Sequence, residues 1–288
     1  MNRHMTLIYL LCGIAVFAYL GLPLLIKNTL RVNARPVMAP ATPKFLGDDV
    51  QEFFAACAPG LQQLRFEQTA VFTVEGATPH VTSHVALWIN RAAGQAAAVS
   101  VMINRNGDRP NQVKPYVEFL TRVQDGVSVT TNNSKDLGAF KKTKLSDTLS
   151  AQHVRDVSHL YRLHLWRETQ IAGATAPRGL PAAGTELAWF ADMFEESIKR
   201  QLDTGYLMFA GDGIYLPTFL GAYMMTWGQL PPMNSLRRSS EDRRAEAQVQ
   251  QASAVPFTPP TNVKVVVLPA DAPPGGGGGQ TPPMRKVA

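Results

Sequence analysis

The stretch Val81-Thr-Ser-His-Val-Ala-Leu-Trp-Ile-Asn90 sets Val81, Val85, Leu87 and Ile89 against Thr82, His84 and Asn90. Successive side chains of a strand point to opposite faces, so this period of two predicts a strand with one buried face. Val99, Val101 and Ile103 repeat the pattern, then Val117, Phe119 and Val123, then Val127 and Val129. Gly94-Gln95, the polar run Asn106 to Asn111 and Asp125-Gly126 separate them. Asp-Gly suits a two-residue type I′ turn, in which both positions need positive φ. The expectation is a four-stranded antiparallel meander with one apolar face, covered by helices. On that reading Val101→Asp buries a charge, whereas Ser100→Asp points to water and is mild.

Helices are expected on both sides of the meander in sequence, which makes the fold class α+β. Asp48 or Asp49 can cap a leading helix through Val50, Phe53, Phe54 and Cys57, with Pro59-Gly60 ending it. Asp156 or Ser158 can start a second through Leu160, Leu163 and Trp166. A third begins near Thr185 and carries Leu187, Phe190, Ala191, Phe194, Ile198 and Leu202 on one stripe. Gly205 supplies its left-handed stop. Gly173 to Gly184 reads as a loop.

Outside this body the composition changes. Met5 to Ile26 carries no charge, and a hydrocarbon core of about 30 Å needs roughly 20 such residues. Residues 1–27 therefore read as a transmembrane signal-anchor. A cleaved signal fits worse, because the apolar run is too long and Val37-Met38-Ala39 is followed by Pro40. Pro36, Pro40 and Pro43 make residues 28–44 an extended Pro-rich tether. Residues 45–230 are the expected globular domain. Residues 231–288 are expected to be a disordered Pro/Gly-rich tail, since 236–251 are polar all round and Pro259-Pro260, Pro273 to Gly279 and Pro282-Pro283 follow. Val263 to Leu268 stands out there, either as an apolar patch in a disordered tail or as a strand that adds to a sheet edge.

Charge follows the same division. Residues 1–44 hold five basic and no acidic side chains, 45–230 sixteen basic against eighteen acidic, and 231–288 seven against four. The overall charge of +6 thus resides outside the body, which argues against nucleic acid as a partner and for the lipid bilayer. Lys27, Arg31, Arg35 and Lys44 follow the apolar run and Arg3 precedes it, so the side of the membrane on which the domain sits stays open.

Several residues invite a chemical reading and lack its context. His80 and His84 have i, i+4 spacing, but on a strand that separates their Cα atoms by about 13 Å, so no metal is expected. His159 and His164 lie about 140° apart on a helix, and His164 beside Trp166 reads as a partly buried histidine with a backbone partner. Cys57 falls on an apolar stripe, Glu195 and Glu196 read as solvated, and Gly275 to Gly279 lacks the Lys-Ser/Thr of a phosphate loop. Arg237-Arg238-Ser239-Ser240 matches a basophilic kinase site by composition alone. Asn132-Asn133-Ser134 reads as a polar strand end. Tyr215, Phe219, Tyr223 and Trp227 are four apart; core packing is the favoured reading, a helix in the bilayer surface the next.

Tyr116-Val-Glu-Phe119, Asp125-Gly126, Thr130-Thr-Asn-Asn-Ser134, Gly205-Tyr206, Tyr215-Leu-Pro-Thr218 and Gly221-Ala222 resemble an uncharacterised group of bacterial single-pass membrane-anchored proteins. That resemblance implies the bacterial inner membrane and brings no catalytic residue or cofactor. The leading expectation is a membrane-tethered, non-enzymatic interaction or scaffold protein with a possible protein partner. The alternatives are an enzyme assembled from His84, Tyr116, Glu118 and Thr130, and a winged-helix-like regulator. A polar pocket on the sheet favours the enzyme, a smooth or apolar groove the scaffold.

Overall fold

The computed structural model describes residues 3–78, 80–104, 112–123, 126–136, 138, 140–173, 178–257 and 265–268. The sheet expected from Val81 onward is present but larger than four strands. It has seven, in the order β2 (Val37–Pro40), β3 (Glu67–Thr78), β4 (Val81–Asn90), β5 (Gln95–Asn104), β6 (Gln112–Arg122), β7 (Ser128–Asn132) and β8 (Ser146–Ser150). Every neighbouring pair is antiparallel except β7 with β8. The expected four-stranded meander is therefore corrected. Its strands occupy the middle of a sheet that β2 and β3 extend on one side and β8 on the other. Pro36, Pro40 and Pro43 predict an extended tether over residues 28–44. Val37–Pro40 instead pairs with β3 at the edge of the sheet, where a proline needs no ladder partner. The segment Val32–Asn33 (β1) pairs with β11 (Ile214–Pro217), which also pairs with β10 (Leu207–Gly211).

Both faces of the large sheet are covered. Trp88, Val99, Val101, Val117 and Phe119 pack under α3 (Asp48–Gln63), α4 (Val157–Ala172) and α7 (Met233–Ala254). Phe72, Val85, Leu87, Ile89 and Ala98, with opposite parity, pack with Trp189 of α5 (Glu186–Asp203) and Leu180 of β9 (Arg178–Pro181). Period two predicts only that the faces differ; here the second face is also roofed. The helix starts and stops follow local chemistry. Asp156 Oδ1 accepts from His159 N at 2.8 Å, capping α4, and Gly205, at φ +72°, ends α5. Helix α3 continues past Pro59 to Gln63 rather than stopping there.

The expected loop from Gly173 to Gly184 contains β9, with residues 174–177 outside the described ones. The C-terminal region departs furthest from expectation. Met233–Ala254 is a helix whose Ala245 and Ala252 are buried in the same core as α4, with Val249 packed against it. Those three positions, at i, i+4 and i+7, form a narrow small-residue stripe. Arg244 pairs with Asp147, Lys142 with Glu241, and Arg162 donates to the Ala252 and Ser253 carbonyls. Val265–Leu268 (β12) lies parallel to β9, so this segment adds to a strand of its own chain. Pro259-Pro260, Pro273 to Gly279, Pro282-Pro283, Asp125 and Asn106 to Asn111 lie outside the described residues.

Among the described residues, one helix, Met5–Thr29, is long and apolar enough to cross a membrane. It runs as α1 (Arg3–Val16), a π-helical turn at Phe17–Gly21 and α2 (Leu22–Thr29). Its second half packs on α6 (Phe219–Trp227), burying Pro23. Tyr223 Oη donates to the Leu20 carbonyl at 3.4 Å and Trp227 Nε1 to the Tyr19 carbonyl at 2.7 Å. Tyr215 is in the core, but from strand β11 rather than from the helix. The remainder of the stripe is not: Phe219 is 55 % exposed and Trp227 37 %. The opposite side of α6, Gly221, Ala222, Met225 and Thr226, is the buried one. A Cβ on Gly221 would stand 2.0 Å from the Tyr206 carbonyl oxygen, so glycine lets α6 lie on the body.

Candidate functional site: a polar cleft beneath helix α5

Along β6, β7 and β8 the α5-facing side changes from apolar to polar. Tyr116 and Glu118 come from β6, Thr130 and Asn132 from β7, and Ser146, Thr148 and Ser150 from β8. Alternation puts these on one face while Val117, Phe119, Val129, Thr131 and Leu149 face α4. Ser197, Arg200 and Gln201 of α5 roof them. The resulting cleft has two lobes, of about 370 and 240 Å³, which share Glu118, Ser146, Thr148, Ser197 and Arg200.

Glu118 is the acid on the floor of this cleft, with Asp136, Glu196 and Glu241 also in its lining. Asn132 Nδ2 donates to its Oε2 at 3.1 Å, and among the described residues it has no cationic partner. Burial disfavours the carboxylate, and the Asn132 bond offsets this only in part, so the carboxyl is pushed up to about 7. Burial, then the nearby Glu118, push the Tyr116 hydroxyl well up, against a hydrogen bond with Ser100. Of the cations lining the cleft, Lys141 makes no ion pair among the described residues, and the others are engaged elsewhere. Arg200 donates to the Leu145 and Gly126 carbonyls and to Glu196, each at 2.7 Å. At the rim Lys142 pairs with Glu241 and Lys114 with Asp136.

This arrangement gives a pH prediction. An unfolded glutamate releases its proton near 4.5, Glu118 near 7. Between those values the folded chain holds the extra proton, so stability falls as pH rises. Glu118→Gln removes that loss and keeps an acceptor for Asn132. Above pH 7 the variant is expected to be more stable than the parent by on the order of 3 kcal/mol, with the difference closing below pH 4.5. Urea midpoints measured across that range test it; a difference that does not change with pH would count against a buried, unpaired carboxyl.

Of the dispersed residues singled out in sequence, Tyr116, Glu118 and Thr130 meet in the cleft and His84 does not. His84 lies opposite Val101 on β5, hence on the α3 and α4 side, with Nδ1 3.1 Å from Thr73 Oγ1. No group of three or more metal-ligating side chains occurs among the described residues. Asn132, read as a polar strand end, is buried in β7 and holds Glu118. Glu195 and Glu196 are not merely solvated: the first pairs with Arg35 and Lys199, the second with Arg122 and Arg200. Cys57 is buried in the core and its thiol is pushed up to about 11, away from a reactive thiolate.

Behind the sheet lies a second, buried polar cluster. His164 is completely buried and sits between Thr121 Oγ1 at 2.9 Å and Thr131 Oγ1 at 3.0 Å, so its partners are hydroxyls rather than backbone. Burial, then Arg167 and Arg178, hold it well below the usual imidazole range. Glu168 pairs with Arg178 and accepts from Gln95 Nε2 at 2.6 Å; Gln95 in turn accepts from Tyr161 Oη at 2.5 Å. Arg178 also donates to the Ala93 carbonyl at 2.6 Å. The cluster ties α4 and β9 to the sheet through the Arg178–Glu168 ion pair, while the Nε atoms of Arg167 and Arg178 make no aligned hydrogen bond. Serine and threonine alternation on β7 and β8 was the signal for the cleft floor, but period two reads the same whether a polar face meets water or a roof. No family model, no curated protein and no solved structure matches the chain.

Proposed function

We propose that this chain is a membrane-tethered binding protein, held by the helix Met5–Thr29, whose cleft beneath α5 takes a neutral, hydroxyl- or amide-bearing ligand. The observation that carries the reading is the cleft floor. Thr130, Asn132, Thr148 and Ser150 surround the Glu118 carboxyl, while Arg200 and Lys142 are paired with Glu196 and Glu241 at the edge of the cleft. Hydroxyls and amides both donate and accept, which suits a ligand bearing the same groups. The bacterial inner-membrane location belongs to this proposal through the sequence resemblance.

Titration calorimetry of the full chain in detergent, with N-acetylglucosamine and neutral glycine peptides as probes, tests the reading. Saturable binding that disappears in Thr148→Trp, which fills the cleft, is the expected outcome. Binding that survives Thr148→Trp, or no binding by either probe, would rule against the cleft as the site. A second reading, a membrane-anchored enzyme, draws on two observations: the pocket on the sheet is polar, the outcome that favours an enzyme, and a carboxyl pushed to about 7 is poised to exchange a proton near neutral pH. Turnover of a bound probe, lost in Glu118→Gln with binding retained, would select it.

A further inference from the structure

The N-terminal helix is too short to cross a bilayer by the part of it that stands free. Every described side chain from Met5 to Phe17 is exposed, and from Ala18 onward the helix is partly covered by α6. Those thirteen free residues rise about 20 Å at 1.5 Å each, against a hydrocarbon core of about 30 Å. The missing 10 Å corresponds to about seven more residues, through roughly Leu24. Tyr19 and Leu20 fall inside that interval, and their carbonyls hold Trp227 and Tyr223. The first charge after Arg3 is Lys27, which places the headgroups at the same level by an independent route.

From these lengths we propose that α6 enters the acyl layer beside the anchor, as a second, non-spanning membrane contact whose occupant is the lipid bilayer. The proposal rests on reading the N-terminal helix as a span. Residues 213–236 contain no Asp, Glu, Lys or Arg. The outward side of α6 presents Phe219, Leu220 and Met224, which are 55, 56 and 44 % exposed. Its polar groups are satisfied without water, as hydrocarbon requires. Thr218 Oγ1 accepts from Gly221 N at 2.9 Å, Thr226 Oγ1 donates to the Ala222 carbonyl at 2.7 Å, and the Trp227 and Tyr223 donors use the anchor's own backbone. The opposite face of α6 is fixed on the body through Ala222 and Met225. The body thus sits against the membrane rather than hanging from it.

The full chain is reconstituted in vesicles of phosphatidylcholine and phosphatidylglycerol that carry a diazirine on the acyl chain, then irradiated and mapped by mass spectrometry. Label is expected on Phe219 to Met224 as strongly as on Ile8 to Val16, with none on Val113 or Ile171, which are exposed but remote from α6. Label on the N-terminal helix alone would overturn the proposal and leave the anchor intact, including the case in which a second copy or another protein covers α6. Label on neither segment, with the chain released by alkaline carbonate, would overturn the anchor itself and the proposal with it.

Discussion

Arg178→Ala is expected to lower the stability of the chain by about 3–5 kcal/mol, the cost of stranding one partner of a buried ion pair. Arg178 and Glu168 are 3 and 1 % exposed, and the loss of either leaves a charge that water does not reach. The damage extends beyond the pair. Arg178 bonds the Ala93 carbonyl in the turn between β4 and β5, and its side chain packs where a Cβ on Gly94 would come within 2.9 Å. Burial pushes the Glu168 carboxyl up, while Arg178, Gln95 and Thr121 pull it back, so removing the guanidinium favours a neutral acid. Urea unfolding followed by tryptophan fluorescence reads the loss. Replacing both partners, Arg178→Met with Glu168→Leu, is expected to recover much of it, because no charge is then left unpaired. A single-variant loss under about 1 kcal/mol would mean that the site is hydrated.

Val101→Asp is expected to cost several kcal/mol, comparable with much of the stability of an ordinary domain. Val101 is completely buried beneath α3 and α4. Ser100→Asp separates the one-faced sheet read from sequence from the two-faced sheet of the structure. If the sheet had one wet face, this change would be mild. In the structure Ser100 is 3 % exposed and lies opposite Tyr116 in the β5–β6 ladder, two residues from Glu118. A second carboxyl there meets burial and the cleft acid together, so a large loss is expected here too, smaller in acid, where both carboxyls are protonated. Equal stability of Ser100→Asp and the parent at neutral pH would mean that α5 does not cover this face.

Patterns set by a residue's own neighbours show in the sequence, and pairings set by tertiary packing do not. The alternation at Val81 to Ile89 and the stripe from Leu187 to Leu202 depend on a residue's own neighbours and were legible. So were the Asp156 cap and the Gly205 stop. The β7–β8 pairing was not, because Ser146-Asp-Thr-Leu-Ser150 carries one apolar side chain and its partner is fixed by tertiary packing. Helix α7 was missed because alanines at 245 and 252 contribute little to a hydrophobic count, yet their small size is what allows close approach to α4. Three of the cleft's polar residues could be named in sequence, Tyr116, Glu118 and Thr130. That they share a face, and that His84 does not, follows from register across four strands.

The contact between the N-terminal helix and α6 has a consequence for how the chain is made. A nascent polypeptide emerges with Tyr19 first, and Trp227, its hydrogen-bond partner, follows 208 residues later. Strand β1 waits for 183 residues, since its partner Tyr215 lies opposite Val32. Closing a loop of that length costs about 5 kcal/mol in chain entropy, and no local contact offsets it while synthesis continues. The docking surface of the N-terminal helix therefore stays vacant through most of translation. A ribosome that stops anywhere before α6 releases a chain with that surface open and with β1 unpaired.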